Sequence, residues 1–250
     1  MQMNRKINFS SIKMRATMFL HGSWFMFGLC MLVSTIVFML LIPEKYIYFL
    51  VQPTVELGVL EHFRIFVATA ISESLMFTLT VAMYRVIFKR TEEEKRGVGL
   101  LFKNANLIFP SSVIPVLLTK VLLSFLSFLT TPAVSNFFYD YLFFTAVDYI
   151  IYNWAMLVMS LIISVVSLYV NLAYILTPCV IADNPEISGI DAMRISRIYM
   201  KNKKLNMVWF LLSFAVWYMI GMCGFGIGMM WAHAYTMTAV YVYYLDVKTA

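Results

Sequence analysis

Charged residues are scarce in this chain of 250 residues, since Asp, Glu, Lys and Arg together make up only 13% of it. Soluble domains contain about 25% charged residues and about 45–50% apolar ones. Hydrophobic residues reach 62% here, so the polar groups are too few to cover the surface of a soluble domain. The composition therefore indicates a single membrane domain over residues 1–250, with no room for a second, soluble domain.

Cysteine and histidine are also few, and their positions argue against several kinds of site. The three cysteines form no CxxC pair and lie in or beside apolar runs, so neither a disulfide framework nor a thiolate metal site is expected. The three histidines fall at different predicted levels of the membrane, which makes a shared metal site improbable. No Ser-His-Asp or HExxH arrangement occurs. We therefore expect no catalytic residue, no cofactor and no metal, and a protein that is not an enzyme.

Long apolar runs are abundant. A transmembrane helix needs about 20 apolar residues, and six candidate spans meet or approach this length. They lie at about 24–42, 65–88, 107–129, 150–175, 207–222 and 226–244. The last two are separated only by a glycine-rich link and form either two separate helices or one broken hairpin.

The glycines of this link, Gly221, Gly224 and Gly228, suit close helix packing or a tight turn. They also invite comparison with a nucleotide-binding loop. The run GMCGFGIG lacks the preceding strand, the lysine and the following polar helix that phosphate binding requires. The glycines are therefore predicted to be structural.

Lysine and arginine are distributed unequally between the segments that join the spans. With the N-terminus in the cytoplasm, most of the 19 cations fall in inner segments, and the outer segments hold only Lys45 and Arg64. The positive-inside rule then places both termini in the cytoplasm. It also accounts for the net charge of +6 without a nucleic-acid partner. The prediction is an all-α, polytopic protein of about six transmembrane helices.

The longest polar interruption runs from Asp183 to Asn206 and predicts a cytoplasmic helix at about 188–204. Ser188 followed by Asp191 resembles a capping box at its start. One predicted stripe is basic and consists of Arg194, Arg197, Lys201 and Lys204. A neighbouring apolar stripe consists of Ala192, Ile195, Ile198 and Tyr199. Such a helix lies in the membrane plane and attracts anionic headgroups. It serves either as a topology anchor or as a docking helix for a cytosolic partner.

A second in-plane amphipathic helix is predicted near the N-terminus, at about 11–22. One of its faces carries Ile12, Ala16, Phe19 and Leu20. Another face carries Lys13, Thr17 and His21, and Gly22 is placed to end the helix. Both predicted amphipathic helices directly precede a predicted span.

Several of these runs resemble a known family. IADNPEISGIDAMRISRIYMKN, LLSFAVWYMIGMCGFGIGMMW and AYTMTAVYVYYLDV look like the C-terminal half of the bacterial integral-membrane family catalogued as domain of unknown function 975, and IKMRATMFLHGSW is similar to its opening module. The resemblance covers mainly residues 181–246 and 12–24. The chain departs from the family pattern at Asn202, where glycine is typical, and at His233-Ala234, where proline is common. The resemblance implies a multi-pass protein of the bacterial plasma membrane and no established activity.

From these features we expect a non-enzymatic accessory or protective factor, with a role in membrane homeostasis, in peptide immunity or as the partner of an exporter. The alternative is a small transporter, or a lipid- or peptide-handling permease subunit of an ATP-driven exporter. The expected partners are membrane lipids with anionic headgroups and a cytosolic or membrane protein such as an ABC transporter component.

Two charges fall inside predicted spans, where a charge in contact with lipid costs several kcal/mol. Glu73 lies in the second span and Lys120 in the third, at similar predicted depths. Consecutive antiparallel spans usually lie next to each other, so we expect an ion pair between these residues. The pair acts either as structural glue or as part of a polar pathway.

Replacement of Lys120 by Met should destabilise the protein, because the Glu73 carboxylate then loses its countercharge inside the membrane. The substitution Glu73→Gln in the same chain should restore stability. Thermal unfolding in detergent measures both effects. If the Lys120→Met and Glu73→Gln single variants both melt at the wild-type temperature, the ion pair does not exist.

Overall fold

A computed structural model describes residues 8–21, 23–41, 59–88, 146–223 and 227–249, together with scattered residues between 103 and 122. These described segments are helical and contain no strand, which confirms the all-α prediction for this part of the chain. Its helices are α1 (Phe9–Leu20), α2 (Trp24–Leu41), α3 (Val59–Phe88), α4 (Ala146–Tyr174), α5 (Thr177–Asp183), α6 (Gly189–Tyr199), α7 (Lys204–Leu212), α8 (Ala215–Cys223) and α9 (Ile227–Lys248).

Three stretches of the described chain are long and apolar enough to cross a membrane. They are Phe63–Phe88 within α3, Leu157–Asp183 across α4 and α5, and Lys204–Met222 across α7 and α8. These stretches overlap the predicted spans at 65–88, 150–175 and 207–222. Helices α2 and α9 overlap two further predicted spans, whereas most of 107–129 lies outside the described residues. The chain therefore carries the apolar helices of a membrane protein.

The chain divides into two compact units. One contains residues 34–74 and 116–171, and its part of α4 exposes bulky apolar side chains on several faces, including Trp154, Leu161 and Val165. Such a helix surface suits lipid rather than water. The other unit contains residues 1–33, 75–115 and 172–250. It holds most of the buried residues and is the unit that carries the candidate site.

Helix α9 is the centre of this second unit. From Ala239 to Tyr244 its side chains are almost completely buried, although three of the six are tyrosines. The Tyr241 ring stacks on Phe88 with centroids 4.0 Å apart, and the Tyr243 ring lies 5.4 Å from that of Phe210. Aromatic rings fill volume with little loss of conformational freedom, and tilted or offset pairs add a favourable electrostatic contribution. The core is therefore built around the last helix of the chain.

Helix α1 packs on α9 through side chains that repeat every four residues. Ile12, Ala16 and Leu20 are fully buried, as expected for one face of a helix. Phe19, predicted for the same face, is partly exposed, and its ring contacts Phe88 with centroids 4.6 Å apart. Asn8 caps the helix by accepting a hydrogen bond from the Ser10 amide at 3.0 Å.

The last three helices form a broken hairpin. The first arm is interrupted at Ser213 and Phe214, between α7 and α8, and α9 returns along it. A Cβ atom added to Gly221 would lie 2.6 Å from the carbonyl carbon of Gly228, so the two backbones touch where the arms meet. Only glycine permits this approach. The third glycine of the link, Gly224, lies outside the described residues.

The substitution Gly221→Ala should destabilise the protein by about 1–3 kcal/mol, because the added methyl group overlaps backbone atoms that cannot rotate away. Thermal unfolding in detergent measures this loss. The matched control is Gly28→Ala, because a Cβ atom there meets nothing within 4 Å. The control should melt at or slightly above the wild-type temperature. Equal melting temperatures for the two variants would contradict the close approach of the hairpin arms.

Candidate functional site

The polar segment after α5 folds into a capped helix. The Ser188 hydroxyl accepts a hydrogen bond from the Asp191 amide at 3.1 Å and donates one to the Asp191 carboxylate at 2.7 Å. Arg194 in turn donates to the same carboxylate at 3.2 Å. The Ser188 hydroxyl satisfies a backbone N–H group of the first turn, and Arg194 neutralises the Asp191 carboxylate. An acidic residue is favourable in the first turn of a helix.

Helix α6 is shorter than its predicted extent of about 188–204. It ends at Tyr199, and Asn202 then adopts the left-handed conformation with φ of 61°. Glycine is the residue that favours this conformation and asparagine is the commonest substitute, so the turn tolerates Asn202. The predicted basic stripe is consequently divided. Arg194 and Arg197 lie on α6, Lys201 lies in the turn, and Lys204 begins α7.

Small residues, together with Ala192, Ile195 and Tyr199 of the predicted apolar stripe, hold α6 against the protein. Gly189, Ala192, Met193 and Ser196 are buried. A Cβ atom at Gly189 would lie 2.6 Å from both the Pro115 ring and the Ser111 carbonyl oxygen. The Ser196 hydroxyl donates to the carbonyl oxygen of Ala173 at 3.1 Å. Close approach of the backbone therefore selects the inward face of this helix.

The outward face of α6 combines cations with large apolar side chains. Its exposed members are Ile190, Arg194, Arg197, Ile198 and, in the following turn, Lys201. We call these five residues the basic face. Ile198 is 63% exposed, whereas Ala192 of the same predicted apolar stripe is fully buried. Three members of the stripe, Ala192, Ile195 and Tyr199, therefore face the core, and Ile198 turns outward.

A second polar cluster lies at the end of α9 and centres on Asp183. The Asp183 side chain is only 3% exposed, and its carboxylate accepts a hydrogen bond from the Tyr244 hydroxyl at 2.9 Å and from the Lys248 ammonium group. A buried carboxylate is tolerated when it is paired and hydrogen-bonded in this way. The cluster fastens the last turn of α9 to the end of α5.

Cations of α1 form further ties to the same helices. Arg15 pairs with Asp246 of α9, and both side chains are partly exposed. Lys13 donates to the carbonyl oxygen of Ser213 at 3.1 Å, and its ammonium group lies 4.6 Å from the centroid of the Phe214 ring. Burial lowers the pKa of Lys13. Lys13 therefore donates a hydrogen bond to the backbone between α7 and α8. The end of a helix leaves carbonyl groups there without intrahelical partners.

Three tyrosines of this unit, Tyr84, Tyr241 and Tyr243, are fully buried in the core. The Tyr84 hydroxyl donates to the carbonyl oxygen of Met237 at 2.9 Å and also contacts the Cys179 thiol. Within the described part of the chain, the Tyr241 and Tyr243 hydroxyls have no hydrogen-bond partner. The same part of the chain contains no group of three His, Cys, Asp or Glu side chains that could hold a metal ion. The contacts of Tyr84 join α3 to α5 and α9.

The Asp183 cluster is not predicted by the sequence pattern. Tyr244 and Lys248 stand four residues apart, which places them on one face of a helix and is a usable signal. Their partner, however, lies 61 and 65 positions earlier in the chain. Nothing in the pattern of a single sequence indicates that pairing.

The predicted pair between Glu73 and Lys120 stays a prediction. Glu73 lies on α3 and is partly buried, whereas Lys120 lies outside the described residues. The structure brings Gly221 and Gly228 together, and it places Arg194 and Arg197 on one exposed surface.

The comparison with protein families decides which family this chain represents. The family model described as Protein of unknown function (DUF975) matches residues 3–250. The chain belongs to this DUF975 family. The match confirms the resemblance drawn from the sequence. The matched residues include the basic face and the Asp183 cluster of this DUF975 protein. No curated protein and no solved structure matches the chain.

The Lys248→Met variant of the DUF975 protein should be less stable by about 1–3 kcal/mol, because the buried Asp183 carboxylate loses a charged partner. In the double variant with Asp183→Asn, part of this loss should disappear, since the two residues interact directly. The free energies of unfolding of the wild type, the two single variants and the double variant, measured in detergent, give the coupling energy between Asp183 and Lys248.

The matched control is Arg194→Met, which breaks the ion pair between Arg194 and Asp191. This pair is exposed, since the Arg194 side chain is 70% and the Asp191 side chain 51% exposed. The substitution should cost less than about 1 kcal/mol. A control as damaging as Lys248→Met, or a coupling energy of zero, would contradict the structural role of the Asp183 cluster.

Proposed function

We propose that this DUF975 protein is a multi-pass protein of the bacterial plasma membrane that acts without catalysis, as an accessory or protective factor at the inner leaflet. The single observation that carries the proposal is the basic face of α6. On this face, exposed cations and exposed bulky apolar residues occur together, and the opposite face of the helix is fixed by close packing.

The fixed position of α6 matters for this role. The close contact at Gly189 and the hydrogen bond of Ser196 leave the helix little freedom to move, so its outward side chains form a preorganised surface. Ile190 and Ile198 lie beside the cations and can enter the boundary between headgroups and acyl chains. This combination is typical of helices that lie on anionic membranes, and each cation near such a surface contributes about 1 kcal/mol.

The proposed topology agrees with this placement. Six spans with both termini in the cytoplasm put the basic face at the cytoplasmic surface, where the leaflet carries anionic lipids. The in-plane orientation of α1 and α6 is part of the proposal. From this position the protein would protect the membrane, support its homeostasis or assist an exporter.

The decisive variant replaces Arg194, Arg197 and Lys201 by Gln. In a host that lacks this family, expression of the wild-type protein should raise survival under a cationic membrane-active peptide, and the triple variant should lose that protection. Killing curves at equal protein abundance measure the effect. The matched control is Arg64→Gln, which removes an exposed cation from α3, in a segment proposed to be external.

The outcomes separate a protective role from a role with an exporter. Loss of protection in the triple variant, together with full protection by Arg64→Gln, supports the protective role. Unchanged killing by the wild-type protein contradicts it. If an ABC-type ATPase then co-purifies with the wild-type protein in mild detergent and not with the triple variant, the result supports either the permease alternative or the exporter-partner form of the accessory role.

A further inference from the structure

An apolar cavity of about 370 Å³ lies between the beginning of α2 and the beginning of α9. It is partly open at the protein surface. Among the described residues, its lining comprises Trp24, Gly28, Gly228, Met230, Trp231 and Ala234. The volume falls within the range of sites that bind small molecules, about 300–1,000 Å³.

Glycine at position 28 keeps this space open. A Cβ atom built on Gly28 meets no atom within 4 Å, although the residue is only partly exposed. The opposite side of the cavity is firm, since Gly228 is held against Gly221 and the rings of Trp24 and Trp231 contact each other with centroids 4.8 Å apart. The walls therefore cannot easily collapse onto the space.

The chemistry of the lining determines what can occupy the cavity. The lining side chains are apolar apart from the two indole N–H groups, so ordered water would find few of the two to four polar partners that it needs. An empty apolar space of this size would cost the fold the contacts of every lining atom. The favoured occupant is a flexible apolar molecule.

The surface around the cavity indicates where that molecule comes from. Phe25 and Leu32 of α2 and Met229 of α9 are exposed apolar side chains near the lining residues in the sequence, and Phe25 is 77% exposed. Trp231 of the lining is itself exposed. In a membrane protein such side chains face lipid, and tryptophan is enriched at the level of the headgroups and upper acyl chains. We propose that the cavity binds one acyl chain of a membrane phospholipid, with the two tryptophans beside it.

The substitution Gly28→Leu tests this site by filling it from inside. The leucine side chain should displace two or more methylene groups, and each displaced group weakens binding by about fourfold. Native mass spectrometry after extensive washing in detergent should therefore find a retained phospholipid on the wild-type protein. On the filled variant the retained fraction should be at least about tenfold lower.

The matched control is Phe25→Ala, which removes a large lipid-facing side chain outside the cavity lining and should keep the retained phospholipid. A circular-dichroism melt of each variant shows that it is folded. No retained phospholipid on the wild-type protein, or equal retention on the wild-type protein and Gly28→Leu, would overturn the proposal.

A second measurement works in the bilayer and does not depend on detergent. In a chain with Trp154, Trp209 and Trp217 replaced by Phe, the remaining fluorescence comes from Trp24 and Trp231. Phospholipids brominated on their acyl chains should quench this fluorescence more strongly with Gly28 than with Gly28→Leu, at every brominated fraction. Identical quenching curves would mean that both tryptophans sense only the surrounding lipid, and the cavity would then hold no acyl chain.

Discussion

The burial of the Asp183 carboxylate away from water is the constraint on which the packing of α5 against the last turn of α9 depends. Asp183 stands at the end of a long apolar stretch, and its side chain is enclosed by the last turn of α9. A buried carboxylate must find both a countercharge and a hydrogen-bond donor. Lys248 and Tyr244 supply them from one helix face, which fixes both the rotation and the height of α9. The positions of α1 and of the first hairpin arm follow, because both pack on α9.

Close packing in this fold is achieved by two different means. Around α9, large aromatic side chains fill the core, and their rings meet at tilted or stacked angles. At α6 and at the meeting point of the hairpin arms, glycine and other small residues let backbones touch directly. The first arrangement resembles the interior of soluble proteins, and the second is typical of helices packed in membranes. The unit around α9 therefore combines the packing habits of both environments.

Features that depend on neighbouring residues could be predicted from the sequence. The apolar runs, the cap at Ser188 and the glycines at the hairpin have causes within a few positions along the chain. Features that depend on distant partners could not. The inward face of α6 is set by Ser111, Pro115 and Ala173, so bulkier Ile198 turns outward although its spacing suits an apolar stripe. The pairing of Asp183 with Tyr244 and Lys248 and the contact of Lys13 with Ser213 could not be predicted either, because the partners lie far apart in the sequence.

The tie between Arg15 and Asp246 joins positions separated by 231 residues, and this separation has a consequence for biosynthesis. Because a ribosome makes the chain from its N-terminus, Arg15 emerges long before its carboxylate partner exists. In the topology proposed above, its charge during that interval belongs to the signal that holds the N-terminus on the cytoplasmic side. Once α9 has been made, the same guanidinium group becomes an internal contact. One side chain thus acts twice, first in membrane insertion and later in the folded protein.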